Sequence, residues 1–82
     1  MQETINHMSI QVKFFASLRE KVGMEELSID AAETAGDAWN IATDNAEAPD
    51  NMLVAVNLDY AQLNTAVFDG DEVAFFPPVT GG

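Results

Sequence analysis

Cysteine is absent from the 82 residues, which removes a disulfide framework, a thiolate metal site and a cysteine nucleophile, although it does not by itself fix the compartment. Basic residues are almost as scarce: three Lys and Arg against 14 Asp and Glu leave a formal charge of −11. A surface of that sign repels phosphate backbones and anionic lipid, so nucleic-acid and membrane partners are not expected and a basic protein partner is. The single histidine, His7, stands in the polar opening MQETINH, where it serves neither a Ser/His/Asp triad nor a metal-ligand set. Glycines at 23, 36, 70, 81 and 82 form neither a phosphate-cradling loop nor a dinucleotide fingerprint. No apolar run approaches the roughly 18 residues of a membrane span, and the opening stretch has no apolar core of a secretory signal. A cytoplasmic protein of one small domain is expected, with nearly all its large apolar side chains needed for the core and little left for a deep substrate cavity.

What is present is a clear alternation. Met8, Ile10, Val12 and Phe14 fall on one face, with Ser9, Gln11, Lys13 and Phe15 on the other, the period of a half-buried strand. Residues 1–7 lack any periodicity and are expected to be a frayed leader. Residues 18–23 read as a tight connection closed by Gly23, and Leu27 and Ile29 resume the alternation in a second strand. After Thr34, apolar residues at 35, 38, 39, 42 and 46 recur at helical spacing, with Asp37 placed to favour the helix start. Trp39 reads as core rather than as a ligand platform, and with Ile41 it is expected to supply most of the helix's packing area. Pro49, Asp50 and Asn51 are expected to end the helix.

Residues 52–56 form a continuous apolar run of strand length, Asn57 to Asp59 supply turn residues, and the chain doubles back through Tyr60. Leu63 and Val67 mark short irregular apolar positions. Asp69-Gly70-Asp71 is a further turn; its acids lack the ligand ladder of a calcium loop. A last strand then carries Val73 and Phe75 on one face and Glu72, Ala74 and Phe76 on the other, stopped by Pro77-Pro78. The order strand, strand, helix, strand, short strand, strand predicts an α+β fold with a mixed sheet and one main helix across one face. For so small a chain the natural arrangement is a β-grasp, with the first and last strands side by side and residues 8–76 forming the domain.

The end of the chain carries the chemistry. Two prolines lead into Val79-Thr80-Gly81-Gly82, a stiff elbow followed by residues without side chains that can thread a narrow channel and present an α-carboxylate. Two terminal glycines arise by chance in about 0.5% of chains, given glycine near 7% of residues. A carboxylate is a poor acyl donor because hydroxide leaves badly. Activated as an anhydride with AMP and displaced by sulfide, it becomes a thiocarboxylate, whose nucleophilic sulfur needs no cysteine in the carrier.

The stretch GDEVAFFPPVTGG over residues 70–82, with VKFFASLRE near the start, TAGDAW at the helix and LVAVN in the third strand, resembles the family of molybdopterin synthase small subunits, the MoaD family. The similarity runs from about Met8 to Gly82. It implies a ubiquitin-like β-grasp sulfur carrier for molybdenum cofactor synthesis, with no permanently bound cofactor. In such a carrier an activating enzyme related to ubiquitin-activating enzymes uses ATP to adenylate Gly82, and a sulfur donor protein converts it to the thiocarboxylate. The tail then enters the large subunit of a heterotetramer, where cyclic pyranopterin monophosphate becomes molybdopterin. By the same resemblance Gly81 threads the channel, Pro77, Pro78, Val79 and Thr80 contact the partner, and Tyr60 and Arg19 match contact positions of the domain.

Strand parity adds two contacts of its own: Phe15 and Phe76 both point away from the core and, on neighbouring strands, can form one exposed aromatic patch. A bare Gly-Gly ending also fits a thiamine-type sulfur carrier, or a ubiquitin-like modifier that forms isopeptide bonds with lysines. From residue 77 onward the tail is expected to be poorly ordered in the free chain and extended once inside a partner.

Overall fold

The alternation over residues 10–14 buries Ile10, Val12 and Phe14 and leaves Gln11 and Lys13 half-exposed in strand β1 (Ile10–Phe14). In a computed structural model, which describes residues 9–78, the chain continues through α1 (Ser17–Val22), β2 (Glu26–Ile29), α2 (Ala35–Thr43), β3 (Leu53–Val56), β4 (Asp59–Ala61) and β5 (Glu72–Phe76). The expected leader, residues 1–7, and Met8 lie outside the described residues.

The five strands form one sheet in the order β2-β1-β5-β3-β4. β1 and β5 pair in parallel at its centre, with Val12 beside Val73 and Phe14 beside Phe75; the other pairings are antiparallel. This is the mixed sheet of a β-grasp, first and last strands adjacent. α2 covers one face. Its buried stripe is Ala35, Ala38, Trp39 and Ala42, and the small alanines let the indole reach the sheet. There Trp39 meets Phe14 and Phe75 edge-on at 5.7 and 5.1 Å, while Phe14 and Phe75 stack at 5.9 Å, arrangements that suit the ring quadrupoles.

Local sequence sets the ends of α2. Thr34 is its N-cap, its side-chain oxygen accepting from the Asp37 N–H at 3.1 Å. At the other end two expectations are corrected. The helix stops at Thr43 rather than at Pro49, because Asp44 and Asn45 both take left-handed backbone, and Ala46 folds back to accept the Trp39 indole N–H at 2.7 Å. Thr43 fixes this return by donating to the Trp39 carbonyl and accepting from the Ala46 N–H. Ile41, expected in the packing, is 53% exposed, since two residues beyond Trp39 is about 200° around the helix.

A third correction concerns residues 18–23. They form a short helix, α1, closed by Gly23 at φ 88°, whose N–H donates to the Arg19 carbonyl at 2.9 Å. The closing glycine is where the sequence places it, but a six-residue helix that buries only Leu18 shows no periodicity to read. Residues 62–67 are tied to the start of α2, with Gly36 N–H donating to the Leu63 carbonyl at 2.8 Å and Ala35 N–H to the Thr65 carbonyl at 3.0 Å. Val67 completes the core there. Among the described residues no helix is long and apolar enough to cross a membrane.

Phe14 and Phe15 are adjacent in sequence yet belong to opposite faces, which gives a direct test of the register. Phe14→Ala should cost about 3–5 kcal/mol of unfolding free energy, the usual cost of deleting a buried aromatic. Phe15→Ala should cost much less, about 0.5–1.5 kcal/mol, the worth of its stack on the outer face. Urea denaturation of the two variants measures both.

Candidate functional site

Among the described residues no element covers the face of the sheet opposite α2, and the period of two decides what it presents. Toward β2 it is polar. Gln11 donates to Glu26 and accepts from Ser28, both at 2.8 Å, and Lys13 lies 3.7 Å from Glu72. That ion pair is about one-third exposed on each side and adds little stability. Toward β4 the face turns apolar. Ala74 of β5 pairs with Ala55 of β3, which pairs in turn with Tyr60 of β4. The two alanines form the floor of a shallow hollow of about 240 Å³, bounded by Phe15, Leu58, Tyr60, Glu72 and Phe76.

Phe15 and Phe76 stack almost face to face, with centroids 4.8 Å apart and 7° between planes. The parallel register makes them neighbours. Beyond β1 the ladder continues one step, the Phe15 N–H donating to the Phe75 carbonyl at 3.1 Å. The chain then breaks sharply at Ala16, at φ 55°, and Leu18 N–H returns to the Phe15 carbonyl at 3.1 Å to begin α1. Phe15 is thus held between a strand and a helix, and Phe76 is the last residue of β5. Pro77 and Pro78 follow it, half-buried and outside any strand. With no backbone N–H to donate, the prolines end the ladder where the tail departs.

Of the residues expected at the site, Phe15, Tyr60 and Phe76 are brought together around one hollow, with Tyr60 83% exposed. Arg19 stands apart from it, lining a small depression on the other side of Phe15 with Lys13, Glu25 and Glu26. Val79, Thr80, Gly81 and Gly82 lie outside the described residues. Leu58 was hidden among turn residues, and Ala55 and Ala74 in apolar runs where parity alone does not show a floor. Among the described residues no group of three or more His, Asp or Glu is placed to hold a metal ion, and the hollow's lining bears one ionisable acid, Glu72. Apart from the Glu72 carboxylate and the Tyr60 hydroxyl, the lining is apolar.

The molecule is a β-grasp domain with an aromatic patch at the root of its last strand. The sequence profile of the ThiS family matches residues 12–82, and the chain belongs to that family. It is 38% identical over 84 residues to the molybdopterin synthase sulfur carrier subunit of Haemophilus influenzae, covering 89% of this chain and 99% of that protein. Its fold matches the crystal structure of Haloferax volcanii small archaeal modifier protein 1 with a TM-score of 0.71 at 32% identity, over 88% of this chain and 99% of that one. It also matches a chain from the complex of subunits 1 and 2 of the molybdopterin-converting factor of Helicobacter pylori, with a TM-score of 0.62 at 28% identity, over 92% of this chain and all of that one.

The stacked pair should behave as one unit. In a double-mutant cycle of Phe15→Ala and Phe76→Ala, the coupling free energy should be about 0.5–1.5 kcal/mol, the range for well-placed aromatic pairs. Additive losses in urea denaturation would mean that the rings merely lie near each other.

Proposed function

We propose that this chain is the sulfur carrier subunit of a molybdopterin synthase, acting in the cytoplasm and consuming ATP only through its activating enzyme. The observation that carries the reading is the family match running through residue 82, joined to 38% identity with a carrier subunit over nearly the whole of both chains. The Gly82 carboxylate attacks the α-phosphate of ATP in the activating enzyme, expelling pyrophosphate and forming an acyl-adenylate. Sulfide delivered by a donor protein adds to the acyl carbon and AMP leaves, so the C–O bond to AMP is exchanged for a C–S bond. In the large subunit the thiocarboxylate sulfur attacks a side-chain carbon of the pterin and displaces an oxygen substituent from it; water then cleaves the acyl C–S bond of the resulting thioester, leaving the sulfur on the pterin and returning the Gly82 carboxylate. One terminus carries one sulfur, so the two sulfurs of a dithiolene require two carrier deliveries.

In this reading the domain docks through Phe15, Tyr60 and Phe76, with Arg19 at the margin, while Pro77, Pro78, Val79 and Thr80 lead Gly81 and Gly82 into the partner. The partner supplies the catalytic pocket, in a heterotetramer of two small and two large subunits. The similarity to a modifier protein favours a second reading, in which Gly82 is joined to a lysine of a target protein. Both readings share the adenylate and diverge at the nucleophile that displaces AMP.

Mass spectrometry separates them. With activating enzyme, ATP and a sulfur donor, the intact chain should become about 16 Da heavier as sulfur replaces a terminal oxygen. The chain lacking Gly82 should not change, and an equal gain there would refute the role of that residue. Lysine adducts in place of the gain would favour the modifier.

Two sets of variants probe the tail and the patch. Gly81→Ala should impair molybdopterin formation and Gly82→Val should impair it more, with unchanged circular dichroism, because a Cβ meets walls fitted to bare backbone. Phe76→Ala should weaken association with the large subunit by at least about 1 kcal/mol, while its melting temperature falls only by the several degrees that loss of the stack with Phe15 accounts for.

A further inference from the structure

We infer that Leu58 is an anchor by which this chain grips the large subunit, held out from the domain by a hairpin turn that its own side chain makes harder to form; the inference rests on the sulfur-carrier reading. β3 and β4 are joined by two residues, Asn57 and Leu58, both in left-handed backbone at φ 52° and 73°. Hairpins with that turn favour Asn-Gly, because the second position admits glycine freely and a branched side chain poorly. Asn57 meets the preference and Leu58 violates it. Nothing among the described residues is gained in exchange, since Leu58 is 87% exposed, the most of the large apolar side chains described.

The turn persists because Asn57 braces it against β5. Its backbone N–H donates to the Glu72 carbonyl at 2.8 Å, its side-chain oxygen accepts from the Glu72 N–H at 3.0 Å, and its side-chain amide donates to Asp71 at 2.9 Å. A bulky residue in disfavoured backbone survives where its surroundings over-determine it, and such positions concentrate where a surface is used. Leu58 also forms one wall of the hollow whose other walls include Phe15, Tyr60 and Phe76, so its exposed apolar surface is continuous with the patch.

The reach of the tail specifies the occupant. Six residues follow Phe76, and at no more than about 3.6 Å each they carry Gly82 at most about 22 Å from the end of β5. A partner that takes Gly82 into a closed pocket must therefore seat its body within that reach of Phe76, and Leu58, beside the start of β5 and about 13 Å along the strand from Phe76, stands within it on the far wall of the same hollow. The large subunit, which must hold the tail while sulfur is transferred, is that partner.

The test compares Leu58→Gly, which creates Asn-Gly, with Leu58→Asn, which tolerates left-handed backbone without glycine's added freedom, and with Leu58→Met, which restores apolar bulk. Affinity of each full chain for the purified large subunit is measured by calorimetry, alongside its melting temperature and its loading by the activating enzyme. We expect Leu58→Gly to melt no lower than the wild type, and both Leu58→Gly and Leu58→Asn to bind about fivefold or more weakly. Leu58→Met should bind within about twofold of the wild type. Binding of the glycine and asparagine variants at near wild-type strength would overturn the inference. So would an equal loss in the methionine variant, which would assign the effect to turn geometry, or a loss confined to loading by the activating enzyme. If the wild-type chain itself fails to bind the large subunit, the sulfur-carrier reading falls and takes this inference with it.

Discussion

The parallel pairing of β1 with β5 is the constraint from which the rest of the molecule follows. It joins residues 61 positions apart in sequence, Gln11 beside Glu72, and sets two aromatic pairs at once. On the inner face Phe14 and Phe75 receive Trp39; on the outer face Phe15 and Phe76 stack over an alanine floor. A slip of one residue in either strand would exchange these pairs, burying the outer aromatic patch and exposing the core. The core and the outer patch are therefore specified by the same register, and a sequence change that disturbs one disturbs the other.

Much of this was legible because parity is a strong signal when one face is buried. Ile10, Val12 and Phe14 mark the inner face without ambiguity, and once β1 and β5 are neighbours, Phe15 and Phe76 must meet outside. Trp39 was legible for a related reason, as the one large residue in an alanine stripe. Signals shorter than a period were lost. α1 buries one residue, so its helical character lies in backbone hydrogen bonds and in Gly23. The end of α2 depends on Thr43 and on the return of Ala46 to the indole, contacts that no spacing announces. Leu58 was obscured because Asn57 and Asp59 make the segment read as an ordinary polar turn.

The charge of the chain is distributed with some economy. All three basic residues, Lys13, Arg19 and Lys21, lie in β1 and α1, and two of them border Phe15. The hollow itself holds one acid, Glu72, which is drawn toward Lys13. The patch is thus nearly neutral within a strongly acidic surface. A partner can be steered by long-range attraction to the acidic surround and still dehydrate the contact area without stranding a charge.

The position of β5 also has a mechanical meaning. It is a central strand, hydrogen-bonded along one side to β1 and along the other to β3, and the tail is its direct continuation. Tension applied to the tail, as when a terminus is drawn into or out of a tight channel, runs along β5 and loads both ladders in shear. Many hydrogen bonds then share the force, whereas an edge strand peeled from its end would yield them one at a time. The domain can be pulled by its C-terminal end without unravelling, so in the proposed reading the end that is threaded and withdrawn is rooted in the strand best able to bear it.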